Sequence, residues 1–314
     1  MRYLVTGGAG FIGSHIVDKL MADKEQVIVY DNLSTGDNLY IKDHLTKSNF
    51  KLIKADLQDT KSLKKALNKI DFVFHLAAHA DVKTGVFNHQ IDYVQNLQAT
   101  FNLLEAMYQQ NVKKIAFSST SVVYGDAKLR PTPEDYPLYP TSLYAASKVA
   151  CEAYIQAYTN YYDWQAFIFR FIPFMGERYH HGIIYDLTKK ILSKPNHLEI
   201  FSDGTPKKSF IYVKDAIDGI FTVLNKSKDK INIYNIASDQ IITIDQIVNA
   251  ILEALNSKLP KKYLGGDRGW KGDDKYIHLD SSKLKRLGWK PKIDYKQGIK
   301  LTINYLLSHP ELLG

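Results

Sequence analysis

Residues 1–14 read MRYLVTGGAGFIGS, a pattern that indicates the fold class of the chain. It begins with a strand-like apolar run, continues through three glycines spaced by three, and ends where apolar residues take up helical spacing. In a dinucleotide-binding loop, one glycine makes a tight turn, one lets the backbone approach a pyrophosphate and one lets the helix touch the strand. The helix N-terminus then faces the phosphates. The stretch therefore predicts a strand–loop–helix unit that binds a dinucleotide through Gly7, Gly10, Phe11, Ile12 and Gly13.

Strands and helices alternate through the first half of the chain. The patterns predict strands at 2–6, 27–30, 50–54, 72–76, 114–118 and 165–171, and helices at 11–21, 61–68, 91–110 and 142–161. Strands that are mostly apolar and alternate with helices indicate a parallel sheet covered on both faces, so we expect an α/β fold with a doubly wound parallel sheet of the Rossmann type.

The alternation is looser in the second half, where short helices are separated by turns marked by glycine and proline. This change predicts two domains. The first is a dinucleotide-binding Rossmann domain over residues 1–173. The second is mainly a smaller C-terminal α/β substrate lobe over residues 174–314, from which segments near 211–237 return to the first domain.

Composition excludes several classes of protein. The 314 residues are 45% hydrophobic and 24% charged, with 41 Lys and Arg against 33 Asp and Glu. The sequence has no run of eighteen apolar residues, so we expect no membrane span. Its lysines are scattered without a basic, aromatic-rich stripe, so we expect no nucleic-acid partner. The single cysteine, Cys151, favours a reducing cytoplasm, and no ligand spacing predicts a metal site.

The second predicted strand ends at an acidic residue, Asp31, eighteen positions after Gly13. A carboxylate there accepts hydrogen bonds from ribose hydroxyls and repels a 2′-phosphate, which favours NAD over NADP. Its neighbour Asn32 is a further candidate for cofactor binding. Asp56 and Leu57 follow the third strand, where they either flank the adenine or simply end the strand.

Tyr144 and Lys148 lie four residues apart, on one face of a predicted helix. Lowering the pKa of a phenol from about 10 to about 7 requires roughly 4 kcal/mol. An ammonium about 5 Å away, at an effective dielectric constant near 20, contributes roughly 3 kcal/mol. A cationic nicotinamide ring can supply the rest. The pair can therefore provide a tyrosine that abstracts a proton beside a bound cofactor.

Several motifs carry a family resemblance. They are FSSTSVVYG at 117–125, YAASK at 144–148, FHLAA at 74–78, DG at 203–204 with YVKD at 212–215, and GWKGD at 269–273. With the glycine loop, they make the chain closely resemble the extended short-chain dehydrogenase/reductase family, and within it the nucleotide-sugar epimerases. The resemblance runs nearly from end to end and implies a tightly held NAD cofactor.

The resemblance also implies roles for individual residues. Tyr144 would take a proton from the sugar 4-hydroxyl, Lys148 would hold the nicotinamide ribose and lower the tyrosine pKa, and Thr120 would hydrogen-bond the same sugar oxygen. For Asn96 the sequence leaves open a contact with the cofactor or a bond to buried backbone. The positions that the resemblance adds to the cofactor site are Leu76, Ala77, Ala78, Asn96 and Ser118.

In the family, helices equivalent to those predicted at 91–110 and 142–161 pair across a two-fold axis. We therefore expect a homodimer. The side chains expected at its interface are Leu103, Leu104, Met107, Tyr154, Ile155 and Tyr158.

The chain departs from the family in its substrate contacts. Pro173 stands where epimerases commonly have an asparagine, and proline has neither a side-chain donor nor an N–H. Lys208 stands where many relatives have an arginine, keeping the charge without the fork geometry. Arg268 is then a candidate phosphate ligand, and Asp273 a candidate ligand of a ribose hydroxyl.

These features predict an enzyme that epimerises C4 of a nucleotide-diphosphate sugar, most simply a UDP-hexose, through a transient 4-keto sugar. The nearest competing function is that of a 4,6-dehydratase on the same scaffold. In relatives that reaction uses an Asp-Glu pair directly after the active-site threonine, whereas Ser121 and Val122 follow Thr120 here. The sequence also leaves open a net NAD-dependent sugar-nucleotide oxidoreductase and a non-catalytic NAD-binding protein.

Overall fold

The computed structural model describes residues 1–82, 84–266 and 276–313. The chain divides into two compact units and passes between them several times. The first unit comprises Met1–Gly125, Pro137–Arg170 and Leu224–Tyr234. The second comprises Asp126–Tyr136, Phe171–Val223 and Asn235–Gly314.

Most strands are short. Within the described residues they are β1 (Arg2–Thr6), β2 (Gln26–Asp31), β3 (Phe50–Lys54), β4 (Phe72–His75), β5 (Lys114–Thr120), β6 (Gln165–Phe171), β7 (Phe174–Met175), β8 (Leu198–Ile200), β9 (Lys207–Ser209), β10 (Ile211–Tyr212), β11 (Ile231–Ile236), β12 (Ile241–Thr243) and β13 (Lys261–Tyr263).

The α-helices range from one turn to five or more turns. They are α1 (Phe11–Ala22), α2 (Thr60–Ala66), α3 (Ala99–Gln109), α4 (Leu143–Tyr162), α5 (Gly182–Leu192), α6 (Val213–Lys226), α7 (Ile244–Ala254), α8 (Ser282–Lys285) and α9 (Tyr295–Ser308). Short 3₁₀ segments, Ser121–Tyr124 among them, join several elements.

Seven strands form one sheet in the order β11-β6-β5-β4-β1-β2-β3. The pairs β1–β2, β2–β3, β1–β4 and β4–β5 are all parallel. The chain builds outward from β1 to β3, then returns to β4 and builds in the opposite direction, so the predicted doubly wound parallel sheet is confirmed. Its switch point lies between β1 and β4, where ligands of such sheets bind at the carboxyl ends of the strands.

A large apolar core packs one face of this sheet against α2, α3 and α4. Leu4 and Ile168 come from the sheet, Leu63 from α2, and Leu103 and Met107 from α3. At most 1% of each of these side chains is exposed. Burying a side chain of this size contributes about 1.5–3 kcal/mol, so this core holds the strand ends in fixed positions.

The helix predicted at 91–110 differs from the observed one. The chain forms a π-helical segment, Tyr93–Gln98, that continues into α3. The wider turn places Asn96 inside the protein, where its amide bonds to the loop after β4. The apolar periodicity predicts a helix in this region. It cannot reveal the wider π-helical turn, because that turn is stabilised by tertiary contacts.

The described part of the second unit contains small two-stranded sheets. β7 pairs with β10 and β8 pairs with β13, both in parallel, and β9 pairs with β12 in antiparallel register. A capping box starts α7, with the Thr243 hydroxyl accepting from the Gln246 N–H and the Gln246 side chain accepting from the Thr243 N–H.

Candidate active site

The glycines in the loop between β1 and α1 occupy their positions for different physical reasons. Gly7 adopts a φ of +69°, and a Cβ there would lie 2.6 Å from the backbone nitrogen of Ala77. At Gly13 a Cβ would lie 2.0 Å from the carbonyl oxygen of Gly7. A Cβ on Gly10 would meet only that same oxygen, at 3.2 Å. Gly7 and Gly13 therefore permit the turn and the helix–strand contact, whereas Gly10 leaves open space beside the loop.

The start of α1 suits an anion. Its N-cap residue is Gly10, no side chain caps it, and its first turn contains no acidic residue. The first N–H groups of a helix have no intrahelical acceptor, and they lie at the positive end of the helix dipole. The open loop and these donors together fit the pyrophosphate of a dinucleotide.

Two alanine substitutions separate the roles of these glycines. Because its Cβ would overlap a backbone oxygen, Gly13→Ala is expected to lower the free energy of unfolding by about 1–3 kcal/mol. Gly10→Ala is expected to stay within about 1 kcal/mol of wild type, since its backbone is extended, yet to bind NAD at least tenfold more weakly. Urea denaturation and calorimetric NAD titration measure both effects, and unchanged NAD affinity in Gly10→Ala would contradict this assignment.

Asp31, at the end of β2, is fixed by the same loop. Its Oδ2 accepts from the Ala9 N–H and its Oδ1 from the Leu33 N–H, both at 2.9 Å. The side chain is 7% exposed, and burial raises the pKa of its carboxyl against those two hydrogen bonds. A carboxylate has about four acceptor sites, so Asp31 keeps capacity for the ribose hydroxyls that the sequence predicts.

The other predicted nucleotide-binding positions lie at the same edge of the sheet. Asn32 Nδ2 donates to Asp56 Oδ2 at 2.7 Å, which ties the end of β2 to the loop after β3, and Leu57 is buried. After β4, the Leu76 N–H donates to the Thr6 carbonyl at 3.1 Å. Ala77 and Ala78 follow Leu76 directly. The strand ends of β1 to β4 therefore bring these residues together, and their contacts with NAD stay predictions.

Asn96 is fully engaged with the protein. Its Oδ1 accepts from the His79 N–H at 2.8 Å, and its Nδ2 donates to Ser147 Oγ at 3.0 Å and to Asp92 Oδ1 at 3.3 Å. The amide thus connects the loop after β4 with α4. Of the two roles left open by the sequence, these contacts favour the structural one.

β5 and α4 bring the three predicted reacting groups together. β5 ends at Thr120, whose hydroxyl oxygen accepts from the Val122 N–H at 3.4 Å. Ser142 caps α4, which places Tyr144 in the first turn. A side-chain hydrogen bond with Thr120 lowers the pKa of Tyr144.

Lys148 lies one turn further along α4 and is only 2% exposed. Its Nζ donates to the Ser118 carbonyl at 2.8 Å and lies 4.7 Å from the centroid of the Phe117 ring and 5.9 Å from that of Tyr144. Burial lowers the pKa of Lys148 to about 8. The ammonium is therefore held near the tyrosine, in an environment that disfavours its charge.

In the protein alone, burial raises the pKa of Tyr144 above its usual value, and the Thr120 hydrogen bond only partly opposes this. The lowering of the tyrosine pKa that the sequence predicts from Lys148 together with a bound nicotinamide stays a prediction, and it has to overcome the desolvation of the phenol as well. If Tyr144 acts as the predicted proton acceptor, the positive charge of a bound cofactor is needed to lower its pKa.

His75, at the end of β4, is a buried neutral residue. Its Nδ1 pairs with Thr6 Oγ1 at 2.8 Å and its Nε2 with Thr100 Oγ1 at 2.9 Å. Burial, assisted by the charge of Lys148, lowers the pKa of His75 to about 3. The folded protein therefore binds one proton fewer than the unfolded chain between about pH 3 and the ordinary histidine pKa near 6.5.

Stability should consequently fall as the pH drops below 6.5. The unfolded state binds more protons in that window, so His75 alone should lower the free energy of unfolding by about 2 kcal/mol between pH 7 and pH 5. Urea denaturation of wild type and His75→Gln at both pH values measures the contribution of His75 to the change in unfolding free energy. We expect the variant to lose about 2 kcal/mol less over that interval; equal losses in the two proteins would refute the assignment.

Lys208, one of the predicted substrate ligands, belongs to the second unit. Lys208 lies on β9, opposite Ile242 of β12. Arg268 and Asp273 lie outside the described residues. The carbonyl of Pro173 accepts from the Ile211 N–H at 3.1 Å.

No group of three or more potential metal-ligating side chains occurs within residues 1–82, 84–266 and 276–313. In the same part of the chain, no helix is both long and apolar enough to cross a bilayer.

Two buried residues near the reacting groups were not predicted from the sequence. Glu152 and Arg170 form an ion pair there. A signal was present, because Glu152 lies four residues after Lys148 on the same helical face, and Arg170 is the one charged residue of the apolar strand QAFIFRF.

Comparison with known proteins gives consistent matches. Residues 3–237 match the NAD dependent epimerase/dehydratase family. A putative UDP-glucose 4-epimerase of Methanocaldococcus jannaschii is 35% identical over 310 residues, 96% of this chain and 97% of that protein.

Two solved structures are similar over nearly the whole chain. The UDP-glucose 4-epimerase of Thermotoga maritima with UDP-glucose has a TM-score of 0.89 at 31% identity, covering 99% of this chain and 100% of that one. A dTDP-glucose 4,6-dehydratase of Streptomyces venezuelae with bound NAD has a TM-score of 0.91 at 28% identity, covering 99% and 98%.

Proposed function

Since the chain belongs to the NAD-dependent epimerase/dehydratase family, we propose that it epimerises C4 of a UDP-hexose, with UDP-glucose and UDP-galactose as the substrate pair. The observation that carries this proposal is the arrangement of Thr120 at the end of β5, Tyr144 in the first turn of α4 and the buried Lys148 ammonium, whose Nζ lies 5.9 Å from the centroid of the Tyr144 ring. A hydroxyl that must lose and regain its proton needs a group that can accept that proton and give it back.

The residues of the site would act as follows. Tyr144 accepts the proton of the sugar 4-hydroxyl and later returns it, while Thr120 hydrogen-bonds the same oxygen. Lys148 favours the phenolate through its charge and holds the nicotinamide ribose. Gly7, Gly10 and Gly13 with the start of α1 hold the pyrophosphate, and Asp31 holds the adenosine ribose. When bound, NAD supplies the hydride acceptor and donor that the chemistry at C4 requires.

The residues after Thr120 favour epimerisation over dehydration. Elimination of water needs an additional acid–base pair, which the resemblance places directly after the threonine. Ser121 and Val122 occupy those positions in a 3₁₀ turn and supply no carboxyl.

The proposal is tested by incubating the protein with UDP-, GDP- and dTDP-hexoses without added NAD and following the products by proton NMR. We expect UDP-galactose to give its 4-epimer. A keto-deoxy sugar would assign the chain to the dehydratases, and oxidised product formed only with added NAD would assign it to the oxidoreductases.

We also propose a homodimer, supported by exposed aromatic residues on α3 and α4. The interface expected from the sequence is partly wrong, since Leu103, Leu104, Met107 and Ile155 are buried in the core of the sheet. The exposed aromatic side chains of these helices are the expected Tyr154 together with Phe101, Tyr108, Tyr161 and Tyr162.

Phe101 and Tyr154 meet edge to face with ring centroids 6.0 Å apart, so α3 and α4 present one aromatic surface. Sedimentation of the wild type should give a dimer that Phe101→Glu dissociates. A strict monomer in the wild type would remove this proposal.

A further inference from the structure

A buried ion pair lies one helical turn beyond Lys148, and the proton transfer does not use it. Glu152 and Arg170 are 1% and 3% exposed. Arg170 Nε donates to Glu152 Oε1 at 3.0 Å, and its terminal nitrogen donates to Oε2 at 2.7 Å. Replacing such a pair with apolar residues is often neutral or stabilising, so its presence is weak evidence for a role in stability.

The pair contacts the chain on both sides of Thr120. Ser119 Oγ donates to Glu152 Oε1 at 2.5 Å. Arg170 donates to the Tyr124 hydroxyl at 2.8 Å, and its guanidinium carbon lies 4.9 Å from the centroid of the Tyr124 ring. Ser119 precedes Thr120, and Tyr124 ends the 3₁₀ turn that the Thr120 side chain caps.

Glu152 also belongs to the helix that carries Tyr144 and Lys148. The ion pair therefore joins the two segments whose separation sets the hydrogen bond between Thr120 and Tyr144. A displacement of about 1 Å between reacting groups can cost a hundredfold in rate, so this connection bears directly on turnover.

Burial lowers the pKa of Lys148, and the neighbouring Cys151, followed by the Glu152 carboxylate, acts in the opposite direction. The remaining groups around Lys148 are Asp92 beside the π-helical segment, His75 on β4 and the ring of Tyr144 at 5.9 Å. Arg170 on β6 pairs with Glu152 and offsets part of its negative charge. Of the carboxylates among them, Glu152 is one helical turn away on the same face of α4.

We propose that Glu152 and Arg170 are positioning residues: they hold Thr120 in reach of Tyr144, and Glu152 places a compensating negative charge one turn from the Lys148 ammonium. The first half of this inference rests on the proposed function, whereas the second half can be tested without turnover.

The positioning role is tested with the double variant Glu152→Met/Arg170→Met, which removes both charges and leaves apolar side chains. We expect a folded protein with NAD affinity and KM within about threefold of wild type and kcat lowered by about 30- to 100-fold. The matched control is Asp163→Asn/Lys230→Met, which removes an exposed ion pair of the same unit and should leave kcat unchanged. A folded Glu152→Met/Arg170→Met protein with wild-type kcat would overturn the positioning role.

The charge is tested with Glu152→Gln, which keeps the shape of the side chain and an acceptor for Arg170. The free energy of unfolding is measured over a range of pH for a protein with Lys148 and for its Lys148→Met counterpart. The difference between the two changes with pH where Lys148 loses its proton, and this gives the pH of that titration. We expect that pH to be at least half a unit lower in the Glu152→Gln background.

An unshifted pH would overturn the role of the charge, whether or not any nucleotide sugar is turned over. A wild type that converts no nucleotide sugar would instead contradict the proposed function. The stability measurement of the Lys148 titration would be unaffected by that result.

Discussion

Replacing Tyr144 with phenylalanine is expected to lower kcat by about a thousandfold while leaving the fold and NAD affinity nearly unchanged. The substitution removes one oxygen from a half-buried ring. It therefore deletes the hydroxyl that interacts with Thr120 without opening a large cavity. The glycine loop and Asp31, which are expected to bind the adenosine half of NAD, lie on other elements.

The matched control is Tyr161→Phe on the same helix, since the Tyr161 side chain is 79% exposed. We expect it to keep wild-type kcat. The pH profile gives a second reading, because kcat in wild type should fall on the acid side as Tyr144 retains its proton. Activity of Tyr144→Phe within tenfold of wild type, measured by NMR of the sugar product, would exclude Tyr144 as the proton acceptor.

Replacing Lys148 with methionine is expected to abolish turnover and yet stabilise the nucleotide-free protein. Burial lowers the Lys148 pKa from about 10.5 to about 8, and this depression costs the folded state roughly 3 kcal/mol at neutral pH. Losing the hydrogen bond to the Ser118 carbonyl costs about 1 kcal/mol. The net expectation at pH 7 is a gain of about 2 kcal/mol in unfolding free energy.

The direction in which this stability difference changes with pH follows from proton linkage. Between about pH 8 and pH 10.5 the unfolded chain holds the Lys148 proton and the folded protein does not, so stability of the wild type rises with pH across this window. The advantage of Lys148→Met should therefore be constant below pH 8 and decline above it. Urea denaturation at pH 7 and pH 9.5 measures both values, and a variant that is less stable than wild type at pH 7 would contradict the cost assigned to burial.

The parts of the site that depend on local backbone geometry could be predicted from the sequence. Gly7 and Gly13 are required because a Cβ would overlap backbone in a strand–loop–helix unit, and such overlaps leave a fixed spacing in the sequence. Asp31 follows from the same unit, since the end of the second parallel strand lies beside the glycine loop.

The electrostatic character of the site could not be predicted in the same way. The desolvation of Tyr144 and Lys148 depends on what packs around α4, and the pairing of Glu152 with Arg170 joins residues eighteen positions apart on different elements. The dimer surface shows the same difficulty, because Leu103 and Phe101 lie on one helix and only the fold decides which side chain enters the core.

The central claim is that one site removes a hydride from a sugar carbon and returns it to the same carbon. It is tested most directly with UDP-glucose deuterated at C4, in large excess over protein supplied with one equivalent of NAD in ordinary water. We expect UDP-galactose that retains deuterium at C4 through many turnovers. Product carrying hydrogen from water at C4, or turnover that stops after one equivalent, would contradict it.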